Sequence, residues 1–338
     1  MVADRVDAKT FIATWRVFGD QEVGPAHQRS GQPIQDDIGL RDAVDGVPDA
    51  VIVAVADGHG GALYVRSEVG ARLAVQAARE QLQGLAKSPF NDLSGPRRAA
   101  EERLPTLICL RWSRLVEADL TSGPLTVDEL RRVEARAGAT QRRLLESRPE
   151  LAYGSTLLAF LATSRYVVYL QLGDGEILTA DIEAGVYPAF ARDPRFLANE
   201  TASLVSPNPE NEMRVKFEVL TGRGPAMILA VTDGFGNAFT DRESLTLTIV
   251  EALEVARDKG GAGITRLLRD WVTRTTERSG DDASVGLAVR AELVGTALVR
   301  EEGAKATDSR EESVTQMRGL VPRSRRGANR STKRRRGK

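Results

Sequence analysis

Apolar positions along this chain form short alternating or continuous runs, broken by Gly, Pro and Asp, and longer stretches with helical spacing. Residues 11–18 alternate as a strand does, and a polar, Gly-containing segment then leads to Gln35-Asp36-Asp37. Residues 51–56 are continuously apolar, the pattern of a strand buried on both faces, and the run stops at Asp57-Gly58-His59-Gly60-Gly61. From 62 to about 85 the apolar residues take helical spacing. A second helical region, rich in Arg and Glu, fills 97–147 with a break at Gly123-Pro124. These segments predict paired helices covering a sheet.

Strand patterns return at 156–161, 166–172 and 177–181, with Gly173-Asp174-Gly175 between the last two, and predict a meander of hairpins. The Pro- and Asn-rich stretch 188–211 predicts a loop or flap, 215–220 a strand, and 227–231 a buried strand that ends at Thr232-Asp233-Gly234. Residues 264–275 predict a helix, and Ser279-Gly280-Asp281-Asp282 precedes a last strand at 283–289. From 295 onward the core pattern stops. The expected organisation is one α+β domain over 1–294 and a disordered tail over 295–338.

At 338 residues and 41% hydrophobic, the chain is long enough to bury a sizeable core. No run reaches the roughly 20 apolar residues of a membrane helix, and the first residues carry charges where a signal peptide needs an apolar stretch. The single cysteine, Cys109, lies in the apolar run Leu107-Ile108-Cys109-Leu110, which excludes a disulfide framework and a cysteine-based zinc site within one chain. A soluble protein of the reducing cytoplasm is expected. The net charge of zero conceals an asymmetry, because residues 319–338 carry nine Lys or Arg and no acid, leaving 38 basic against 47 acidic residues elsewhere. An acidic body suits a site that collects cations. The basic end reads either as a solvated tail or as a strip for an acidic partner or nucleic acid.

Asp-Gly after an apolar strand recurs at Asp57, Asp174 and Asp233. Taken singly each is an ordinary turn, since Asp bonds its own backbone and Gly accepts positive φ. Three of them, with the carboxylate pairs Asp36-Asp37 and Asp281-Asp282, point to more. Carboxylates ending adjacent strands of one sheet converge at one edge, where their repulsion is unfavourable unless a cation neutralises it. The set is rich in oxygen and has no clustered His or Cys, which suits two Mg²⁺ or Mn²⁺ ions better than zinc. Two such ions sharing a water present hydroxide to a phosphorus atom, so phosphoester hydrolysis needs no protein nucleophile. His59, two residues past Asp57, reads as the general acid or as a hydrogen-bonded loop residue. His27 reads as a loop-packing residue or as a group at the phosphate.

The motif around Asp57-Gly58-His59-Gly60-Gly61 resembles the central motif of the metal-dependent serine/threonine protein phosphatases of type 2C, in a divergent bacterial form. The order of Gln35-Asp36, Gly154-Ser155-Thr156, Gly173-Asp174-Gly175, Thr232-Asp233-Gly234 and Asp281-Asp282-Ala283 follows the same family, over residues 11–290. The resemblance implies a four-layer α-β-β-α sandwich, two antiparallel sheets flanked by helix pairs, with a dinuclear centre in a cleft at one end. It implies that Asp57 bridges both metals and Gly58 lends its carbonyl. Asp233 and Asp281 complete the set, Asp36 orients metal-bound water, and His59 is the general acid. Asp174 resembles the residue that helps hold a third, looser metal. Three positions depart from the family pattern. Gln35 stands where Glu is common, with the register at Asp36 and Asp37 open by one residue. Gly31 stands where an Arg usually holds the phosphate, so Arg29 or His27 takes that part. Asn237 stands where a third-metal Asp is expected. The implied substrate is a phosphoserine or phosphothreonine protein, a cognate kinase or its targets. The alternative is a pseudo-phosphatase that binds a phosphoprotein or kinase without turnover.

Overall fold

The computed structural model describes residues 14–181, 185–191, 202–220 and 224–294. The chain divides into a unit of 1–299 and a second of 300–338, and the expectation for the tail lies outside the described residues.

The first unit runs β1 (Trp15–Glu22), α1 (Pro25–Ser30), β2 (Asp37–Arg41), β3 (Val51–Ala56), α2 (Ser67–Lys87), α3 (Ser94–Ser122), α4 (Val127–Ala137), α5 (Ala139–Ser147) and a 3₁₀ turn (Pro149–Tyr153). Then come β4 (Leu157–Ala162), β5 (Tyr166–Leu172), β6 (Glu176–Asp181), β7 (Gly185–Pro188), α6 (Pro209–Glu212), β8 (Arg214–Val219) and β9 (Met227–Val231). Last are α7 (Asp233–Gly236), α8 (Arg242–Ser279), β10 (Ala283–Arg290) and α9 (Ala291–Val294). Two antiparallel five-stranded sheets result, ordered β1-β10-β9-β6-β7 and β2-β3-β4-β5-β8.

Alternation along each strand builds the four layers. In β3, Ile52, Ala54 and Ala56 face α2 and α3 with Leu82, Ile108 and Trp112, whereas Val51, Val53 and Val55 face the other sheet. In β9, Leu229 and Val231 face α8 with Ile264 and Leu268, and Ile228 and Ala230 turn inward. β3 and β9 are therefore buried on both faces, which is why each reads as an unbroken apolar run. Trp15, fully buried, ties the sheets together: its Nε1–H donates to the Thr163 carbonyl of the facing sheet at 3.0 Å.

Several expectations need correction. The first strand runs 15–22, and residues 11–13 lie outside the described set. The helix expected from 62 begins only at Ser67, because Gly61–Arg66 forms turns beside the site. The strands after 156 do not make one meander. β4 and β5 pair, but β6 leaves for the other sheet, where it pairs with β7 and β9. The turn that redirects it holds Gly173 at φ 108°, a conformation a side chain rarely adopts. The helix expected at 264–275 belongs to a longer one, interrupted by non-helical backbone at Gly260. Part of the predicted flap, 192–201, lies outside the described residues.

Candidate metal centre

The loops at one end of the sandwich bring together residues from both sheets, not from one as the sequence reading had it. They enclose a cleft of about 200 Å³ lined by His27, Gln35, Asp57, His59, Asp174, Asp233, Asp281 and Asp282, among others. Asp57 and Asp174 follow β3 and β5 of one sheet, while Asp233 follows β9 and Asp281 precedes β10 of the other.

Backbone bonds fix the Asp57 turn. The Asp57 N–H donates to Thr156 Oγ1 at 3.0 Å and the Thr156 N–H returns to the Asp57 carbonyl at 2.8 Å. The Gly58 N–H donates to the Gln35 carbonyl and the His59 N–H to the Gly154 carbonyl, both at 3.1 Å. A Cβ on Gly58 would lie 2.6 Å from that Gln35 oxygen, so only glycine lets these two loops meet.

Asp36 and Asp37, the two candidates for the site, stand in different surroundings. Asp36 is 4% exposed, lies close enough to feel the charges of Asp282 and Asp233, and accepts from Thr232 Oγ1 at 2.9 Å. Asp37 begins β2 and feels the charges of Arg72 and Arg79 on α2 instead. Burial, then the charge of Asp282, holds the Asp36 carboxyl well above the ordinary carboxylate range. Burial and the charges of Asp36 and Asp233 do the same to Asp57, and burial raises Asp233. Burial lowers the His59 imidazole against the opposing pull of Asp174. Its ring meets Tyr64 edge-on, centroids 4.8 Å apart.

Asp233 opens the one-turn helix α7, and Asn237 Nδ2 donates to its carboxylate at 3.2 Å, so Asn237 serves here as an orienting donor. Asp281 is exposed at the end of the loop after α8, and Ser279, Gly280 and Asp281 together present Asp282 inward.

Sequence reasoning missed the part of Asp282. Its buried carboxylate accepts the Gly24 N–H at 2.7 Å and the Gln35 N–H at 2.6 Å, and its Oδ1 lies 2.9 Å from His27 Nδ1. One side chain so clamps both ends of the segment 24–35 to the start of β10. One ligand atom from each of His27, Asp281 and Asp282 lies within 4.8 Å of the others. Arg29, by contrast, stands exposed on α1 and does not line the cleft. Two residues along a helix are about 200° apart, so with His27 facing the cleft Arg29 faces away. No Lys or Arg is among the described residues that line it.

The sequence profile of protein phosphatase 2C matches residues 23–273. The chain belongs to the protein phosphatase 2C family. Solved structures of this fold include the catalytic domain of the serine/threonine protein phosphatase PstP with two manganese ions, at 16% identity, 81% of this chain, 97% of that one and TM-score 0.51. Stp1 from Staphylococcus aureus gives 12% identity, 86% and 99% coverage and TM-score 0.53. PppA of Pseudomonas aeruginosa, a regulatory component of its T6SS, gives 18%, 82%, 99% and 0.50. At these identities the likeness concerns the fold. A search of curated protein sequences gave no significant match. Among the described residues no helix is long and apolar enough to cross a membrane.

Proposed function

We propose that this phosphatase 2C chain is a divalent-metal-dependent hydrolase of phosphoserine and phosphothreonine in proteins. One observation carries the reading: Asp57 and Asp233 line one cleft with Asp36 buried behind them, and burial and mutual repulsion disfavour their charge. Such a cluster is costly unless cations neutralise it, and its all-oxygen donors fit Mg²⁺ or Mn²⁺.

Asp57, Asp233, Asp281 and the Gly58 carbonyl are the residues proposed to hold two ions, with Asp36 behind them oriented by Thr232. Bound there, the ions supply a water of lowered pKa and neutralise phosphate charge. His59, at the cleft wall beside Asp174, is the proposed proton donor to the departing serine or threonine oxygen. Since no Lys or Arg lines the described cleft, His27 is the proposed hydrogen-bond donor to the phosphate, set by its contact with Asp282. Asp174 borders Asp233 and is the proposed aid to a third, weaker ion.

Residues 1–294 constitute the catalytic unit in this proposal, and the basic end of 295–338 is a separate strip for an acidic partner or nucleic acid. The full complement of proposed ligands weighs against the binding-only alternative. Phosphate release from matched phosphoserine, phosphothreonine and phosphotyrosine peptides tests the substrate class. Turnover of the first two and not the third is expected, and a preference for phosphotyrosine would overturn it.

A further inference from the structure

Away from the metal centre, a solvent-open groove of about 620 Å³ runs between α3 and the segment 204–210. Trp112 and Val116 of α3 form its floor, and Leu204 and Pro209 form the opposite wall. Leu110 at its edge is 49% exposed, among the most exposed large apolar side chains described. Three carboxylates border the groove. Arg148 neutralises Glu150 at 3.0 Å, but among the described residues Glu117 and Glu210 have no ion pair. The burial that raises the Cys109 thiol to about 12 in this groove is reinforced by the Glu210 charge.

The wall of the groove leads into the metal centre. The Leu204 N–H and Ser203 Oγ donate to the Ser155 carbonyl at 2.9 and 3.2 Å, and Ser155 pairs with Gly58 in an isolated β-bridge. A chain lying against 204–210 therefore lies along the segment anchored to the floor of the cleft.

We infer that this groove docks an unphosphorylated stretch of the substrate protein, with leucine-like side chains on the floor and Lys or Arg against Glu117 and Glu210. The inference rests on the phosphatase reading for its consequence in turnover, but not for its binding test. The apolar floor supplies most of the contact, and two uncompensated carboxylates select cationic flanks over acidic ones.

Kinetics compare three substrates: an aryl phosphate, a short phosphothreonine peptide, and that peptide extended by leucine pairs alternating with arginine pairs. The extension lowers KM about tenfold in the wild type, and Glu117→Lys combined with Glu210→Lys removes that gain. The same variant leaves aryl phosphate turnover within about twofold. Leu110→Lys, which replaces an apolar contact by a cation at a half-exposed position, provides a second variant with the same expected split. Equal losses on aryl phosphate and extended peptide, or a wild type indifferent to the extension, overturn the inference.

If no substrate is turned over, fluorescence anisotropy of the labelled, unphosphorylated extension decides. Binding about tenfold tighter than that of a glutamate-for-arginine counterpart, lost in the charge-reversed variant, sustains the groove even as the phosphatase reading fails. Equal binding of the two peptides removes it.

Discussion

Asp282 lies 2.9 Å from His27 Nδ1 while its oxygens take the backbone N–H groups of Gly24 and Gln35, so one buried carboxylate meets the imidazole and holds the loop that carries it. Removing it strands two buried donors, which costs about 1–3 kcal/mol for each group left unpaired. Asp282→Ala should lower the thermal midpoint by several degrees in the chelated protein, where metal affinity plays no part. Unchanged unfolding would show that water replaces the clamp.

The same geometry separates two residues that lie two positions apart. His27→Ala should raise KM for a phosphothreonine peptide about tenfold, whereas Arg29→Ala, on the outer side of α1, should leave it within about twofold. Steady-state kinetics on both variants check this, and the reverse ranking would move the phosphate contact to Arg29.

Metal removal has a sign that depends on pH. The folded-state values of Asp36, Asp57 and Asp233 lie above those of the unfolded chain. Their contribution to stability is therefore complete below the ordinary carboxylate range and is lost as pH rises through the raised values. Chelated protein should lose stability as pH rises above the ordinary carboxylate range, and Mn²⁺ should restore most of the loss. Asp36→Asn, which keeps the acceptor for Thr232 and removes a charge, should raise the chelated midpoint by about 2–4 °C and reduce turnover. Denaturation scans at several pH values, with and without chelator, read both effects. A chelated protein that grows more stable over that rise in pH would contradict them.

Glu129, buried away from the cleft, should behave oppositely. Burial pushes Glu129 up, but hydrogen bonds from Arg66 at 2.7 Å and from Thr126 bring it down to about 2. Arg66 also donates to the Gly123 carbonyl and to Tyr153 Oη, tying α4 to the loop that leads from His59. With the folded value depressed, this stabilisation is present above the ordinary Glu value and is lost as pH falls through about 2. Glu129→Gln should cost about 1–3 kcal/mol near neutral pH, with the difference from wild type shrinking in strong acid. Urea titrations of the pair check the trend.

What the sequence disclosed follows from local physics. The strands at 166–172 and 227–231 are legible because both faces are buried and the run ends at Asp-Gly. The first half of α8 was not, since Leu247 and Val250 are exposed and blur its apolar face, and the Gly260 break separates it from the recognisable second half. At the site, each Asp-Gly turn announced itself, but the inward residue of the Asp281-Asp282 pair did not. Neighbouring aspartates look alike until the backbone of the loop entering β10 sends one toward Gly24 and Gln35. Nor does a Gly-Asp-Gly turn reveal that the next strand joins the opposite sheet, because sheet choice is set by the partners of β6 in β7 and β9.

The central claim is tested most directly by phosphate release from a phosphothreonine peptide by wild type and Asp57→Asn, titrated with Mn²⁺ or Mg²⁺ and repeated in chelator. The account predicts turnover that rises with metal, vanishes in chelator and falls at least about a hundredfold in Asp57→Asn while that variant remains folded. Turnover that survives chelation, or that Asp57→Asn retains at the wild-type rate, would contradict it.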